Sequence, residues 1–185
     1  ATVVCALPPH GEALRTSAPP GPQGQDETSS DRVRLLVLGF VRPYKGIPVL
    51  LEAMRTAPGV EVTIRGECWD EDLDAQITMM AALPELTGRV DYRPGYVPGD
   101  AIAGLFARHD VAALPYLEAT GSQNTSLAFA HGVPVLVSDL PALTAGVEPG
   151  VHGLVARAGD VSAWSAMLRE VTRDQVDRWA SRIEP

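Results

Sequence analysis

The stretch Gly39-Phe40-Val41-Arg42-Pro43-Tyr44-Lys45-Gly46 joins two segments of different hydrophobic pattern. A continuous apolar run over residues 35–41 leads into its first residues, which is typical of a parallel strand covered on both faces. After it, apolar residues recur at positions i, i+3, i+4 and i+7 within residues 47–57, the spacing of a helix with one buried stripe. A strand that leads directly into a helix is the repeating unit of an α/β sheet.

The same alternation continues along the chain. Further strands are predicted at 60–66, 90–93, 111–114, 133–137 and 153–156, and helices at 70–83, 99–109, 122–131 and twice after residue 161. Elements in this order predict an α/β fold with a doubly wound, Rossmann-like parallel sheet over residues 32–185. Residues 1–31 are predicted to form a flexible N-terminal segment or inter-domain linker, because 16–31 are rich in Pro, Gly, Ser and Gln.

Charge and composition restrict the classes of partner. A net charge of −8 argues against an extended nucleic-acid surface, which needs a basic face. Cys5 and Cys68 fit neither a disulfide framework nor a metal-ligand spacing, and the four histidines are scattered, so no metal site is predicted. No secretory signal is evident, and we expect a cytoplasmic protein, with peripheral membrane association left open.

The opening loop is the first candidate site. Ligands of doubly wound sheets bind at the carboxyl ends of the strands, where this loop lies. Lys45 is the only lysine among fifteen cationic residues, and with Arg42 it places two cations beside free helix N–H groups, a suitable place for phosphate. The loop, which starts at Gly39, has neither a dinucleotide fingerprint nor a P-loop. The alternative is that Lys45 is a solvated loop charge.

The loop after the fourth strand is the second candidate. Gly121 lets helix N–H groups approach a ligand closely, with Thr120 or Ser122 as the helix cap and Gln123 following. Glu118 would lie at the mouth of the same crevice as the two cations. The alternative is that Glu118 is an exposed acid near a helix start, favoured there by the helix dipole.

Two further loops can form the walls of a base pocket. One contains Gly66 and Trp69, and the other contains Tyr96. For each aromatic residue considered alone, a position in the core or on the rim is the simpler interpretation. Asp139, which follows a strand, is interpreted as a turn cap, although it can also accept a hydrogen bond from a sugar hydroxyl.

Several of these segments together resemble the C-terminal half of GT-B glycosyltransferases of the family 4 type, also called glycosyl transferases group 1. The resemblance covers about residues 33–172 and rests on four motifs: Gly39 to Gly46, Pro115-Tyr116-Leu117-Glu118, Gly132-Val133-Pro134-Val135 and Gly150-Val151-His152-Gly153-Leu154-Val155. It implies retaining transfer of a sugar from a nucleoside-diphosphate sugar (NDP-sugar), with this half as the donor-binding domain. It also implies no metal and no cofactor other than the donor substrate.

The resemblance assigns roles to individual residues. Arg42 and Lys45 would hold the donor diphosphate and neutralise the leaving group. Glu118 matches the first glutamate of the family's E-x7-E motif, which contacts the donor sugar. The backbone turn that meets sugar and phosphate would be Gly121, Ser122 and Gln123, and the loops that contain Gly39, Gly66 and Tyr96 would complete the donor site.

The sequence also departs from the family pattern. Ser126 stands eight residues after Glu118, and Leu127 aligns with the second glutamate through Gly132, so that glutamate is missing. Pro141 and Ala142 replace small glycines, and Arg42 stands two positions later than the commonest family arginine.

The resemblance also implies an N-terminal acceptor domain, which we expect to lie outside this sequence. We therefore expect turnover only when that domain is present, on an acceptor (glycan, lipid or small molecule) that the sequence does not identify. Two other functions remain open. One is a non-catalytic domain that binds nucleotide sugars, and the other is an unrelated α/β phosphate-binding protein.

Overall fold

A computed structural model describes residues 31–120 and 123–184 of the chain. The predicted flexible segment, apart from Asp31, and two predicted site residues, Gly121 and Ser122, lie outside the described residues. The strands are β1 Val33–Leu38, β2 Val60–Gly66, β3 Val90–Pro94, β4 Val111–Leu114, β5 Val135–Ser138 and β6 Gly153–Ala156. The helices are α1 Ile47–Met54, α2 Glu71–Ala81, α3 Gly99–Ala107, α4 Asn124–Ala130, α5 Pro141–Thr144, α6 Val161–Glu170 and α7 Arg173–Ala180.

The strands form one parallel sheet in the order β3-β2-β1-β4-β5-β6. The chain builds outward from β1 to β3 and then crosses back to β4, so the direction of winding changes between β1 and β4. This confirms the predicted doubly wound, Rossmann-like sheet. The loops after β1 and β4 therefore leave the sheet side by side at its carboxyl edge, where such folds bind ligands.

Two hydrophobic cores cover the sheet. Helices α1, α2, α6 and α7 pack on one face, and α3, α4 and α5 pack on the other. The predicted stripe of α1 is confirmed, because Ile47, Leu50, Leu51 and Met54 are all fully buried. Within the described ranges no helix is both long enough and apolar enough to cross a bilayer.

Several predicted boundaries were wrong. β1 ends at Leu38, and Val41 instead forms an isolated bridge with Cys68 in the loop after β2. α4 begins at Asn124, and its N-cap residue Gln123 makes no side-chain capping hydrogen bond, so Thr120 does not cap this helix. The short helix α5 was missed, because four residues are too few to show a periodic pattern.

Candidate functional site

The loops after β1, β2, β3 and β4 meet at the carboxyl edge of the sheet. Backbone hydrogen bonds of 2.7–3.0 Å connect them in sequence: Gly39 N to Arg65 O, Val41 N to Glu67 O, Gly95 N to Gly66 O, and Leu117 N to Tyr44 O. Hydrogen bonds between loops limit their independent movement. The site therefore has a preformed backbone framework.

Two glycines allow the loops to touch. A Cβ on Gly66 would lie 2.2 Å from the carbonyl oxygen of Gly39, and a Cβ on Gly46 would lie 2.0 Å from that of Pro115. Both residues also have positive φ, +145° and +62°, which L side chains rarely adopt. Only glycine lets the backbone pass this closely at either contact.

Lys45 lies at the centre of this framework. It ends a 3-10 turn, Pro43–Lys45, and its side chain is 4% exposed, so the interpretation as a solvated loop charge is wrong. Its Nζ donates to the carbonyl oxygen of Leu38 at 3.2 Å and lies 5.0 Å from the centroid of the Tyr116 ring. A Cβ on Gly39 would come within 3.1 Å of Nζ, so this glycine leaves room for the ammonium group.

The charge of Lys45 is poorly compensated. Over residues 31–120 and 123–184, no carboxylate oxygen lies within 4.0 Å of its Nζ. Burial accordingly lowers the pKa of this lysine from its ordinary value of 10.5. An ammonium group has three N–H donors, and its side-chain hydrogen bond to Leu38 uses one of them. This environment favours binding of an anion.

Sequence reasoning missed two residues that help to build this environment. Tyr116 is buried beside Lys45, and Asn124 begins α4. Asn124 Nδ2 donates to Tyr116 Oη at 2.6 Å and to Leu38 O at 3.3 Å, the carbonyl that also accepts from Lys45. Their sequence signal was proximity to predicted site residues: Tyr116 stands two residues before Glu118, and Asn124 directly follows Gln123.

Arg42 occupies a different environment from Lys45. Its guanidinium carbon lies 4.4 Å from the centroid of the Trp69 ring and 5.9 Å from that of Phe40, a cation–π arrangement. Trp69 is 66% exposed, so it is a rim aromatic, and its ring centroid lies 5.4 Å from that of Phe40. The aromatic pair gives the Arg42 side chain a defined position at the edge of the site.

The remaining predicted residues are mostly exposed. Glu118 and Gln123 lie at the surface on the loop that leads to α4, and Tyr96 is 77% exposed in the loop after β3. Asp139 Oδ1 accepts from the backbone N–H of Ala158 at 2.7 Å, so its carboxylate joins the loop after β5 to the loop after β6 and does not cap its own turn. At the position of the missing glutamate, Leu127 packs partly buried against the core.

Comparison with known proteins identifies the family. The sequence pattern of the family described as Glycosyl transferases group 1 matches residues 32–174. D-inositol 3-phosphate glycosyltransferase of Mycolicibacterium smegmatis (strain ATCC 700084 / mc(2)155) is 28% identical over 145 residues, which are 77% of this chain and 33% of that protein. The chain spans about a third of the length of the curated relatives that it matches.

Solved structures show the same fold. Anabaena Alr3699/HepE, in complex with UDP and glucose, superposes with a TM-score of 0.71 at 19% identity, over 83% of this chain and 42% of that one. The C-terminal domain of a glycosyl transferase group 1 family protein (LpcC) from Francisella tularensis superposes with a TM-score of 0.70 at 15% identity, over 81% of each chain.

The fold is thus that of an α/β domain whose loops meet at the carboxyl edge of the sheet, the usual ligand position in such folds. The chain belongs to the group 1 glycosyltransferase family, and its sheet is the Rossmann-like half of a GT-B fold.

Proposed function

We propose that this chain is the donor-binding domain of a retaining glycosyltransferase that transfers a sugar from an NDP-sugar to an acceptor. The observation that carries the proposal is Lys45, a buried cation beside the ligand edge with no carboxylate partner in the described chain. A diphosphate supplies the missing negative charge. Solved relatives of the same fold contain UDP or UDP-glucose, which supports a nucleotide-sugar ligand.

In the proposed reaction the bond between the sugar's anomeric carbon and the diphosphate oxygen breaks, an acceptor hydroxyl oxygen bonds to that carbon with retention, and the hydroxyl proton passes to the leaving diphosphate. The electron pair stays on the diphosphate, where Lys45 and Arg42 neutralise the growing negative charge without a general acid. The buried ammonium of Lys45 supplies a point charge, and the guanidinium of Arg42 supplies a planar pair of donors at the rim of the site. The loops of Gly39 and Gly66 let backbone approach the donor closely.

We assign the donor sugar to the opposite side of the site. Glu118 would accept hydrogen bonds from sugar hydroxyls, and the turn Gly121-Ser122-Gln123 would offer backbone N–H groups. Tyr96 is proposed to cover the base from the loop after β3. No protein-bound metal is required in this scheme, because the two cations stabilise the leaving group.

Transfer requires a second domain in this proposal. The chain spans about a third of its curated relatives, so the acceptor site is assigned to an N-terminal acceptor domain of the full-length protein. Relatives named as D-inositol 3-phosphate glycosyltransferases favour a small polar acceptor over a polymer. The cytoplasmic location stays a prediction.

Calorimetric titration with UDP and with uridine tests the site. Lys45→Met is expected to weaken UDP binding by about tenfold or more, equal to about 1.4 kcal/mol, and to leave uridine binding unchanged. Arg42→Gln should weaken UDP binding by several fold, roughly 1 kcal/mol. Arg169→Gln, which removes an exposed charge from α6, is the matched control and should change neither ligand.

The proposal is wrong if Lys45→Met binds UDP as tightly as the unaltered chain. Equal weakening by Arg169→Gln would show that only net charge matters. Loss of uridine binding in Lys45→Met would place the lysine at the base instead of the diphosphate.

A non-catalytic binding domain is the second candidate, favoured by Ser126 and Leu127 at the position of the second glutamate. The two functions differ in turnover by the full-length protein. In an enzyme, Glu118→Gln should lower the rate of donor consumption while UDP affinity stays within about twofold. No donor consumption by the unaltered full-length protein, with any acceptor supplied, would favour the second candidate.

A further inference from the structure

The outer face of β2 and β3 carries a feature that donor binding does not explain. Parallel strands are ordinarily covered on both faces and read as continuous apolar runs. Burial along β2 instead alternates, with Val60, Val62 and Ile64 in the core and Glu61, Thr63 and Arg65 facing the other way. Above these polar side chains lies an open groove of about 830 Å³, bordered by the end of α3.

This groove is strongly basic. Among the residues that the structure describes, two carboxylates, Glu61 and Asp91, and six arginines line it, four more positive than negative charges: Arg32, Arg34, Arg65, Arg89, Arg93 and Arg108. The whole chain carries a net charge of −8, so the positive charge is concentrated here against the overall balance. None of the described residues that are proposed to bind the donor lines the groove.

Two of the arginines lie side by side in the sheet, a placement that normally destabilises the fold. Arg65 and Arg93 are register partners on adjacent parallel strands, where like charges side by side repel. Both bind the same carboxylate, Asp91: Arg65 through Nη2, and Arg93 through Nε at 2.9 Å. One negative charge between two guanidinium groups leaves a positive excess, and the Arg93 side chain is 68% exposed.

A second shared carboxylate lies at the start of β1. Asp110 binds Arg34 Nη2 at 2.7 Å and Arg173 Nη1 at 3.3 Å. On the opposite wall, Arg108 is exposed near the end of α3, and no carboxylate of the described chain lies within 4.0 Å of it. Arg93 and Arg108 therefore offer guanidinium forks on the strand side and the helix side of one groove.

We propose that this groove is a second anion site, which binds a small ligand that carries two or more phosphate groups. Its volume is in the range of small-molecule sites, and its lining is charged instead of mostly apolar. Guanidinium forks match phosphate oxygens in pairs, and several forks around one groove match a ligand with several phosphates. A local basic groove on an acidic chain does not provide the long basic track that a nucleic acid needs.

Inorganic triphosphate is the probe for this site, used with the Lys45→Met variant of the full chain so that the donor site is already weakened. We expect this variant to bind triphosphate at one site. Adding Arg93→Gln and Arg108→Gln should weaken that binding by about tenfold or more. Both side chains are exposed, so the fold should survive, and the far-ultraviolet circular dichroism spectrum checks this.

The matched control adds Arg169→Gln and Arg178→Gln, which remove the same charge from exposed positions on α6 and α7. Equal weakening by both pairs would overturn the proposal, as would no triphosphate binding by Lys45→Met. Tighter binding of a single-stranded oligonucleotide or a polyglutamate peptide than of triphosphate, lost with Arg93→Gln and Arg108→Gln, would also overturn it. UDP binding to the unaltered chain should not respond to the groove variants, which separates this outcome from the donor-site test.

Discussion

Two cationic side chains are buried in the described chain, and their surroundings differ. Arg89 is 7% exposed and Lys45 is 4% exposed. The guanidinium of Arg89 donates to four backbone carbonyl groups, those of Met54, Ala57, Val60 and Glu85. The ammonium of Lys45 donates to one, that of Leu38. Burial lowers the pKa of both groups.

The difference separates a structural cation from one that is suited to a ligand. Arg89 is directed at carbonyls around the end of α1 and the turn before β3, so its donors are used within the fold. Lys45 has a similar burial and fewer partners, and it lies at the edge where the loops of four strands meet. Burial alone therefore does not indicate a ligand group, and the proposed role of Lys45 rests on its unused hydrogen-bonding capacity at the carboxyl edge.

Replacement of Arg89 should have the largest effect on stability. Arg89→Met leaves four carbonyl groups without their donor, and we expect a loss of about 4 kcal/mol in the free energy of unfolding. Urea denaturation measures it. Arg169→Met, on the exposed side of α6, is the control and should change stability by less than about 0.5 kcal/mol. A similar small change for Arg89→Met would remove the distinction between the two buried cations.

The backbone contact beneath Lys45 gives the next largest effect. Gly46→Ala would bring a Cβ within 2.0 Å of the carbonyl oxygen of Pro115, at a φ of +62°. We expect a loss of about 3 kcal/mol, measured by urea denaturation, together with weaker UDP binding.

Gly132→Ala is the control that separates the backbone strain of a positive φ from the steric clash with Pro115. Its φ is +69°, close to that of Gly46, and a Cβ there would meet nothing within 4 Å. It should cost about 1 kcal/mol. If the two variants lose equal stability, the contact between the loops is not what requires glycine at position 46.

Sequence patterns located Lys45 but did not reveal its environment. Its place between a strand and a helix followed from the apolar run before it and the helical period after it. Its burial depends on Tyr116, whose ring comes from a loop about seventy residues later, and on the space at Gly39. Contacts of that range leave no local periodicity.

Arg89 shows the same limit more strongly. A charged residue before a predicted strand looks like an ordinary surface position, and three of its four acceptors lie 29–35 residues earlier in the chain. The polar face of β2 was visible in principle, since Glu61, Thr63 and Arg65 alternate with apolar residues. That alternation predicts a strand with one solvent-exposed face.

Removal of the Lys45 charge should stabilise the unliganded protein. Lys45→Met keeps a long apolar side chain against Tyr116 and removes a buried charge with little compensation. We expect a gain of about 1 kcal/mol, or roughly 3 °C in the midpoint of thermal unfolding. The same substitution at an exposed cation, Arg169→Met, should not shift the midpoint. A loss of stability in Lys45→Met would mean that the lysine is held for structure, as Arg89 is.

The smallest and most specific expected effect is that the stability gain of Lys45→Met depends on pH. Because burial lowers the pKa of Lys45 below 10.5, the unfolded chain binds more protons in the window between the two pKa values. The free energy of unfolding of the unaltered chain should therefore rise with pH through this window, and its deficit against Lys45→Met should shrink toward zero. Burial and a hydrogen bond to Asp74 raise the pKa of Tyr92, but this contribution cancels in the difference between the two chains.

Saturating UDP should remove the pH dependence of this stability difference, because the diphosphate charge raises the pKa of Lys45 again. Thermal unfolding of both chains from about pH 7 to 10, with and without UDP, measures it. A difference that does not vary with pH would show that Lys45 keeps an ordinary pKa and that its charge is compensated without a ligand.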